Sequence, residues 1–321
     1  MSLLKIAIVM DPVETINIYG DSTYVMGLEA CKRGYEVFYC TPQQITLKQG
    51  EVRAEGWPIT FYPDLKHYFS LGEKKHVALH DYDVVLMRQD PPFDMNYLTA
   101  TWLLERIHPQ TVVINNPSVV RNSPEKLSIL DFPEFIPPTL ITAEVEELAR
   151  FHKEHGDIVL KPLFGHGGNA IFRLQQGDVN LRSLLEFYGK HHKEPLMAQP
   201  FIPEVKKGDK RVLLIDGEVA GMFARVPGAE EIRANIRVGG TAEQTRLTPR
   251  QQEISEALAE AMKEKGIMLT GIDLIGDYLT EINVTSPTGF RAVAALDNIR
   301  LEETLWNAIE KQLALPPRQR M

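Results

Sequence analysis

The chain has 321 residues, 44% apolar and 24% charged, with a formal net charge of −8 and a pI near 5.7. That length and apolar content suit two or three buried cores, which argues against disorder, and the acidic balance provides no basic field for nucleic acid or an anionic membrane. No apolar run approaches the roughly eighteen residues that span a bilayer, and Cys31 and Cys40 fit neither a disulfide framework nor a metal-ligand set, so reduced thiols in a cytoplasmic protein are expected.

"KIAIVM" runs straight into Asp11-Pro12 and reads as a buried strand, not a signal-peptide core. "DSTYVMGLEACKRGY" has the marks of a helix opened by Asp21 or Ser22 and closed near Gly34, and "EVFYC" those of the next strand. "DVVLM" (83–87) and "TVVIN" (111–115) flank the helical pattern "NYLTATWLLERI", which predicts a parallel α/β sheet over about the first 120 residues. No GxGxxG follows the first strand, so a dinucleotide site is not expected there, and Ser22 reads as a plain helix cap. Prolines 117, 124, 133, 137 and 138 then break the pattern, and the texture becomes α+β. The boundary is placed between an N-terminal α/β domain, 1–122, and a second region, 123–317.

In "DIVLKPLFGHGGNAIFRL" a glycine-rich tip joins two strands. Lys161 precedes Gly165, Gly167 and Gly168, the reverse of a Walker A loop, so this is not a P-loop. Such a tip can lay backbone N–H groups over phosphates or be turn chemistry alone. Lys161, inside an apolar strand, calls for a charged partner. "NSPEKL" places Lys126 just inside a short helical turn, and "PLMAQPFIP" carries Gln199 in an apolar strand, as a polar strand residue or as a reader of an adenine edge.

"DKRVLLIDGEVAGMFARVP" is a hairpin around Asp216-Gly217. Arg88 and Arg211 have apolar neighbours that suit a forked grip on a carboxylate or phosphate better than a solvated face. Strict two-residue pairing puts Arg211 and Arg225 on opposite faces, so their convergence requires a bulge or bend. After the helical "TPRQQEISEALAEAMKEKG" comes "LTGIDLIGDYLTEINVTSP" (269–287), also patterned as a hairpin. Glu281 and Asn283, two apart, share one side of a strand. A strict two-residue loop at Gly276-Asp277 pairs Asp273 with Thr280, whereas a connection through Tyr278 pairs it with Glu281; only the second gathers all three oxygens, and the longer connection is expected. Two carboxylates and an amide carbonyl are hard donors that suit Mg²⁺; a half-exposed hairpin with ordinary polar residues is the alternative.

"VVLMRQDPPFD", "NSPEKL", "VLKPLFGHGG", "MAQPFIP", "GDKRVLLIDGE", "ARVP" and "GIDLIGDYLTEINVTSPTG" together resemble the bacterial-type glutathione synthetase family of the ATP-grasp superfamily, over nearly the whole chain. The resemblance implies an α/β domain followed by an ATP-grasp fold, divided into a central part (123–200) and a C-terminal catalytic part (201–317). It implies joining of γ-glutamylcysteine to glycine with ATP and Mg²⁺, or Mn²⁺ in its place, in a homotetramer without nucleic-acid or membrane partners. Carried over by motif, Lys126, Lys161 and the glycines 165, 167 and 168 meet the phosphates. Gln199, Phe201 and Ile202 meet the adenine, and Asp209 the nucleotide; Pro200 lacks an N–H, so an adenine donor must come from a neighbour such as Ile202. Arg211 and Arg225 steady an acyl phosphate, Arg88, Asn235 and Ser286 hold substrate, and Asp273, Glu281 and Asn283 take the metal. The chain departs from the family at "PGAEE", where Ala229 stands in place of a second glycine. Residues 225–240 are expected to form a lid that brings Arg233 to the site. The competing readings are another ATP-grasp carboxylate–amine ligase and a nucleotide-binding regulator without turnover.

Overall fold

The computed structural model describes residues 3–165, 167–178, 182–184, 194–228 and 239–320. The first sheet contains β1 (Lys5–Met10), β2 (Glu36–Cys40), β3 (Ile45–Lys48), β4 (Glu51–Phe61), β5 (Phe69–Leu71), β6 (Lys75–Ala78), β7 (Val84–Arg88) and β8 (Val112–Ile114). Its main path runs β3-β4-β2-β1-β7-β8, with β5 and β6 also paired to β4. The expected parallel core is present in β2-β1-β7-β8. Not anticipated from the sequence, residues 45–78 contribute antiparallel strands, and β4 runs antiparallel to β2. The sheet is therefore mixed.

The chain leaves β1 for β2 on one side and later returns to β7 on the other. Sheets with such a reversal gather ligands beyond the carboxyl ends of the strands at that point, and Asp11 and Arg88 stand there. Helix α1 (Ser22–Lys32) is capped by Asp21, whose carboxylate accepts from Tyr24 N at 2.6 Å. Helix α2 (Met95–Glu105) is capped by Asp94, which accepts from the amides of Asn96 and Tyr97 at 2.9 Å. A one-turn helix, α3 (Pro117–Arg121), follows β8.

The second sheet, β9 (Leu140–Thr142), β10 (Ile158–Pro162), β11 (Phe172–Leu174) and β12 (Leu196–Pro200), is antiparallel in the order β11-β10-β12-β9. With α4 (Val145–His155) it encloses a small core of its own, including Leu148, Ile158, Leu160 and Leu174. The third sheet comprises β13 (Asp209–Ile215), β14 (Glu218–Val226), β15 (Thr241–Glu243), β16 (Leu269–Ile275) and β17 (Tyr278–Asn283), ordered β15-β14-β13-β16-β17. Helix α5 (Pro249–Glu264) starts at a Thr248–Gln251 capping box and covers one face; α6 (Phe290–Asp297) and α7 (Leu301–Leu313) cover the other.

Two apolar cores run across the first and third sheets, one through Met87, Tyr97, Ile272 and Leu279, the other through Ile8, Tyr24, Phe223 and Trp306. Trp306 donates its indole N–H to Met26 O at 2.9 Å, fastening α7 to α1. Ser22 is not a cap of its own helix: its hydroxyl accepts from the amides of Gly289 and Phe290 at 3.1 and 3.3 Å, satisfying the start of α6. Among the described residues no helix is long and apolar enough to cross a membrane.

Candidate active site

Both long hairpins of the third sheet close on two-residue turns. Ile275 pairs with Tyr278 across Gly276-Asp277, and Ile215 pairs with Glu218 across Asp216-Gly217. The longer connection expected for the second hairpin is therefore a misreading. A bulge shifts the register instead: Leu274 faces Leu279 while Asp273 faces Glu281, so Thr280 is the extra residue. The cause is apolar spacing. Leu279, Ile282 and Val284 are all buried with Ile272 and Leu274 in the core that α5 covers, and residues three apart cannot both face that side of a regular strand. The shift leaves Asp273, Glu281 and Asn283 together on the opposite face.

The first hairpin uses the same device. Leu214 faces Val219 and Leu213 faces Gly221, leaving Ala220 extra. Arg225 consequently lies opposite Asp209 on the face that carries Arg211, and Arg211 stands opposite Asp273 of the neighbouring strand. Arg225 grips Asp209 with two hydrogen bonds of 2.5 and 2.7 Å and reaches Asp273 Oδ2 at 2.7 Å. Arg211 grips Asp273 with bonds of 2.5 and 3.0 Å. Gly271 makes room for it: a Cβ there would stand 3.3 Å from Arg211 Cδ and 3.2 Å from Pro287 Cβ. Burial alone would raise the Asp273 carboxyl, but the two guanidiniums hold it below the usual carboxylate range. Among the described residues Asp209 pairs only with Arg225, and burial pushes it up to about 6.

Lys126 is brought to this face from outside the sheet. The backbone carbonyl of Glu125 accepts from Ile282 N at 3.1 Å, docking the "PEKL" segment on the edge of β17. Lys126 Nζ then donates to Gly165 O at 2.7 Å and stands 3.0 Å from Glu125 and 3.5 Å from Glu281. Burial opposes the charge on Lys126, yet the two glutamates raise its pKa. Glu125 itself is pushed up to about 7 by burial and by Glu281 beside it. Lys161, also buried and with its pKa lowered by burial, donates to Gln199 Oε1 at 3.1 Å, and Gln199 donates onward to Thr139 Oγ1 at 3.0 Å. Both ends of the Gln199 amide are thus engaged in steering the lysine and the strand. Gly167 and Gly168 turn the loop with φ of +64° and +80°, conformations that a side chain would strain.

Between the second and third sheets lies a cleft. Val159, Ile171, Phe201 and Ile202 make its apolar end, and Lys161, Asp209, Arg225, Asp273 and Glu281 its charged end. Phe201 N is bonded to Asp157 O at 2.9 Å. At the β1/β7 crevice, Arg88 donates to Thr23 Oγ1 and Pro287 O, each at 3.0 Å, and Ser286 Oγ lies 3.4 Å from Arg88 O. Burial lowers the pKa of Arg88, while the charges of Asp21 and Asp90 work against that shift.

Of the residues singled out from sequence, Lys126, Lys161, Asp209, Arg211, Arg225, Asp273 and Glu281 meet in one charged cluster, with Asn283 on the same face. Among the described residues no three His, Cys, Asp or Glu side chains form a metal-binding group; the set expected from sequence, Asp273, Glu281 and Asn283, has two carboxylates and an amide. Arg233, Asn235 and most of the expected lid lie outside the described residues. Glu125 and Asn115 were not foreseen. A carboxylate directly before a lysine that needs a buried partner was the available signal for Glu125. Asn115 ends a predicted strand, and its amide makes four hydrogen bonds of 2.7–3.0 Å to the backbone of Met268, Leu269 and Val284, joining the two large sheets beside the catalytic hairpin.

A cleft with an apolar end, buried lysines and a carboxylate–arginine cluster, held between two antiparallel sheets, defines an ATP-grasp ligase. Solved structures share this fold: D-cycloserine synthetase DcsG (TM-score 0.66, 17% identity, 96% of this chain and 99% of that one) and D-alanyl-alanine synthetase A from Vibrio cholerae (TM-score 0.64, 14% identity, 98% and 100%). Residues 4–121 match the N-terminal domain of prokaryotic glutathione synthetase and residues 125–298 its ATP-grasp domain. Glutathione synthetase of Brucella melitensis is 48% identical over 307 residues, covering 96% of this chain and 98% of the relative. That of Rhodopseudomonas palustris is 49% identical over 311 residues, covering 97% and 99%. The chain belongs to the prokaryotic glutathione synthetase family.

Proposed function

We propose that the chain joins γ-glutamylcysteine to glycine at the expense of ATP, giving glutathione, ADP and phosphate. The observation that carries this reading is the meeting of Lys126, Lys161, Arg211 and Arg225 with Asp273 and Glu281 at one end of a cleft whose other end is apolar. The dipeptide carboxylate attacks the γ-phosphorus of ATP, the bond to the β-phosphate oxygen breaks, and ADP leaves. Glycine's amine then attacks the acyl carbon, loses a proton and expels phosphate. Neither step needs a nucleophile from the protein; both need anionic charge to be held and neutralised.

Lys126 and Lys161 take the phosphates, and Arg211 and Arg225 take the acyl phosphate and the oxyanion formed when glycine adds. Pro200 has no N–H and Phe201's is already bonded, which leaves Ile202 to donate to the adenine edge. Arg88, buried at the β1/β7 crevice beside Ser286, takes a substrate carboxylate. Asp273, Glu281 and Asn283 offer hard oxygens on one face and would hold Mg²⁺ or Mn²⁺. When bound, such an ion supplies charge neutralisation at the phosphate oxygens. The free thiols of Cys31 and Cys40 support a cytoplasmic setting, and the family resemblance supports a homotetramer.

Phosphate release measured with ATP, a panel of dipeptides and a panel of amines tests the reading. Release is expected only when γ-glutamylcysteine and glycine are both present, one phosphate per glutathione. Release with a different pair points to another ligase of this fold; ATP binding without release under any pair points to a regulator. Glu281→Gln is expected to cut turnover by about two orders of magnitude or more, the several kcal/mol that a misplaced charge clamp loses.

A further inference from the structure

We infer that Arg173 is a positioning residue for the apolar end of the cleft, acting through Phe201; the inference rests on reading that end as the adenine site. Arg173 on β11 faces Val159 on β10, and Val159 faces Gln199 on β12, so the three side chains form one row across the second sheet. Val159 and Gln199 line the cleft, as does Ile171, two residues before Arg173. Alternation along the strand therefore turns Arg173 toward the same side.

Its guanidinium carbon lies 3.8 Å from the centroid of the Phe201 ring, close enough for a planar cation to stack on the aromatic face. The same guanidinium donates through Nη2 to Asp157 Oδ2 at 2.5 Å. Asp157 accepts from Gln176 N through its other oxygen and from Phe201 N through its backbone carbonyl, each at 2.9 Å. Arg173 thus ties three pieces of chain together: the strand that leaves the glycine-rich tip, the entry to β10, and the segment 199–202 that would present Ile202 to the base. Its own Nε is buried with no partner among the described residues. One donor goes unsatisfied while the group is held against the ring and the carboxylate.

A purely structural role is a poor fit to this geometry. The side chains of Arg173 and Asp157 retain 24% and 33% of their exposure, and ion pairs that open to solvent add little to global stability. What the contact does set is the orientation of Phe201 relative to the slot. An ammonium at this position keeps the charge but loses the flat stack and the fork.

The test is titration of the full chain with ADP and Mg²⁺, together with kcat and KM for ATP, for Arg173→Ala, Arg173→Lys, Phe201→Ala and the double variant, with thermal unfolding as the control for folding. Arg173→Ala is expected to weaken ADP binding and raise the KM for ATP about tenfold, with kcat held within about twofold; Arg173→Lys should recover only part of the loss. In the Phe201→Ala background, removing Arg173 should add less than about twofold, since the ring through which it acts is gone. Unchanged affinity in Arg173→Ala, full additivity in the double variant, or a fall in kcat at constant KM overturns the inference. If the unmodified chain binds no ADP, the nucleotide reading of the cleft falls with it; normal binding by the unmodified chain and by both Arg173 variants overturns this inference alone.

Discussion

The two long hairpins of the third sheet, β13/β14 and β16/β17, are built alike, but the first carries the arginines Arg211 and Arg225 along with Asp209, and the second the carboxylates Asp273 and Glu281. Each turns in two residues, and each carries one extra residue in the return strand, Ala220 in the first and Thr280 in the second. In the first, the extra residue brings Arg225 to the side of Arg211; in the second, it brings Glu281 to the side of Asp273. The difference lies in what the bulge itself contributes. Ala220 has no polar side chain, and its bulge is geometry alone. Thr280 lines the cleft and donates its hydroxyl to Asp273 O at 3.0 Å, so its bulge also supplies a contact. Charge placement here depends on strand phase, and one residue sets the phase.

The largest effect is expected from spoiling that phase. Inserting one alanine after Thr280 would set Glu281 opposite Ile272, beneath α5, and carry Ile282 to the cleft. Inserting one after Ala220 would carry Arg225 off the charged face and Phe223 out of its core. An uncompensated buried charge costs several kcal/mol, so each insertion should abolish phosphate release and lower the unfolding midpoint steeply, or prevent folding. Circular dichroism melts with the phosphate assay report both; an insertion variant with near-normal turnover would show that register does not place these groups.

Much of this phase was legible in the sequence, but only in part. The spacing Leu279, Ile282, Val284 contains the bulge, because apolar residues three apart in a strand demand an extra residue between them. The convergence was readable; its cause was not, since a longer loop satisfies the same requirement and local pattern does not choose between them. For Arg211 and Arg225 the need for a bulge followed from counting back from Asp216-Gly217, yet Ala220 bears no mark that singles it out. The strands of residues 45–78 were illegible for another reason: their alternation is half-exposed and their partner, β2, reads as part of a parallel sheet. Gln199 reads as a polar strand residue or as a reader of adenine, and its bond to Lys161 exists only across β10 and β12. Arg173 gives no local signal at all, because the ring it covers is 28 residues away in sequence and the pairing of β11 with β10 brings it near.

The next effect separates the hairpins by their charges. Asp273 is the shared partner of both arginines, whereas Asp209 serves Arg225 alone. Asp273→Asn leaves two buried guanidiniums short of a counter-charge, and a loss of about 3–5 kcal/mol in unfolding free energy is expected from denaturant titration. Asp209→Asn leaves Arg225 with Asp273 and should cost clearly less, about 1–3 kcal/mol. Equal losses would mean that the second hairpin does not hold the cluster together, and that the two carboxylates are interchangeable supports.

The smallest effect comes from deleting the extra residues, and it sharpens the contrast most. Removing Ala220 or Thr280 leaves every other cross-strand partner as it is: Leu213 still faces Gly221, and Asp273 still faces Glu281. A regular ladder replaces the bulge, with some loss of local twist. If Ala220 only sets phase, its deletion should leave stability within about 1–2 kcal/mol and the KM for ATP within about twofold, because phase is retained. Deleting Thr280 also retains phase but removes a hydroxyl bond and part of the cleft wall, so the KM for ATP should rise several-fold while the chain still folds. The comparison is read from KM, with melting as the control. Should the Ala220 deletion abolish turnover in a folded protein, the bulge would be needed for the bend it puts in β14, and the two hairpins would differ in mechanics as well as in chemistry.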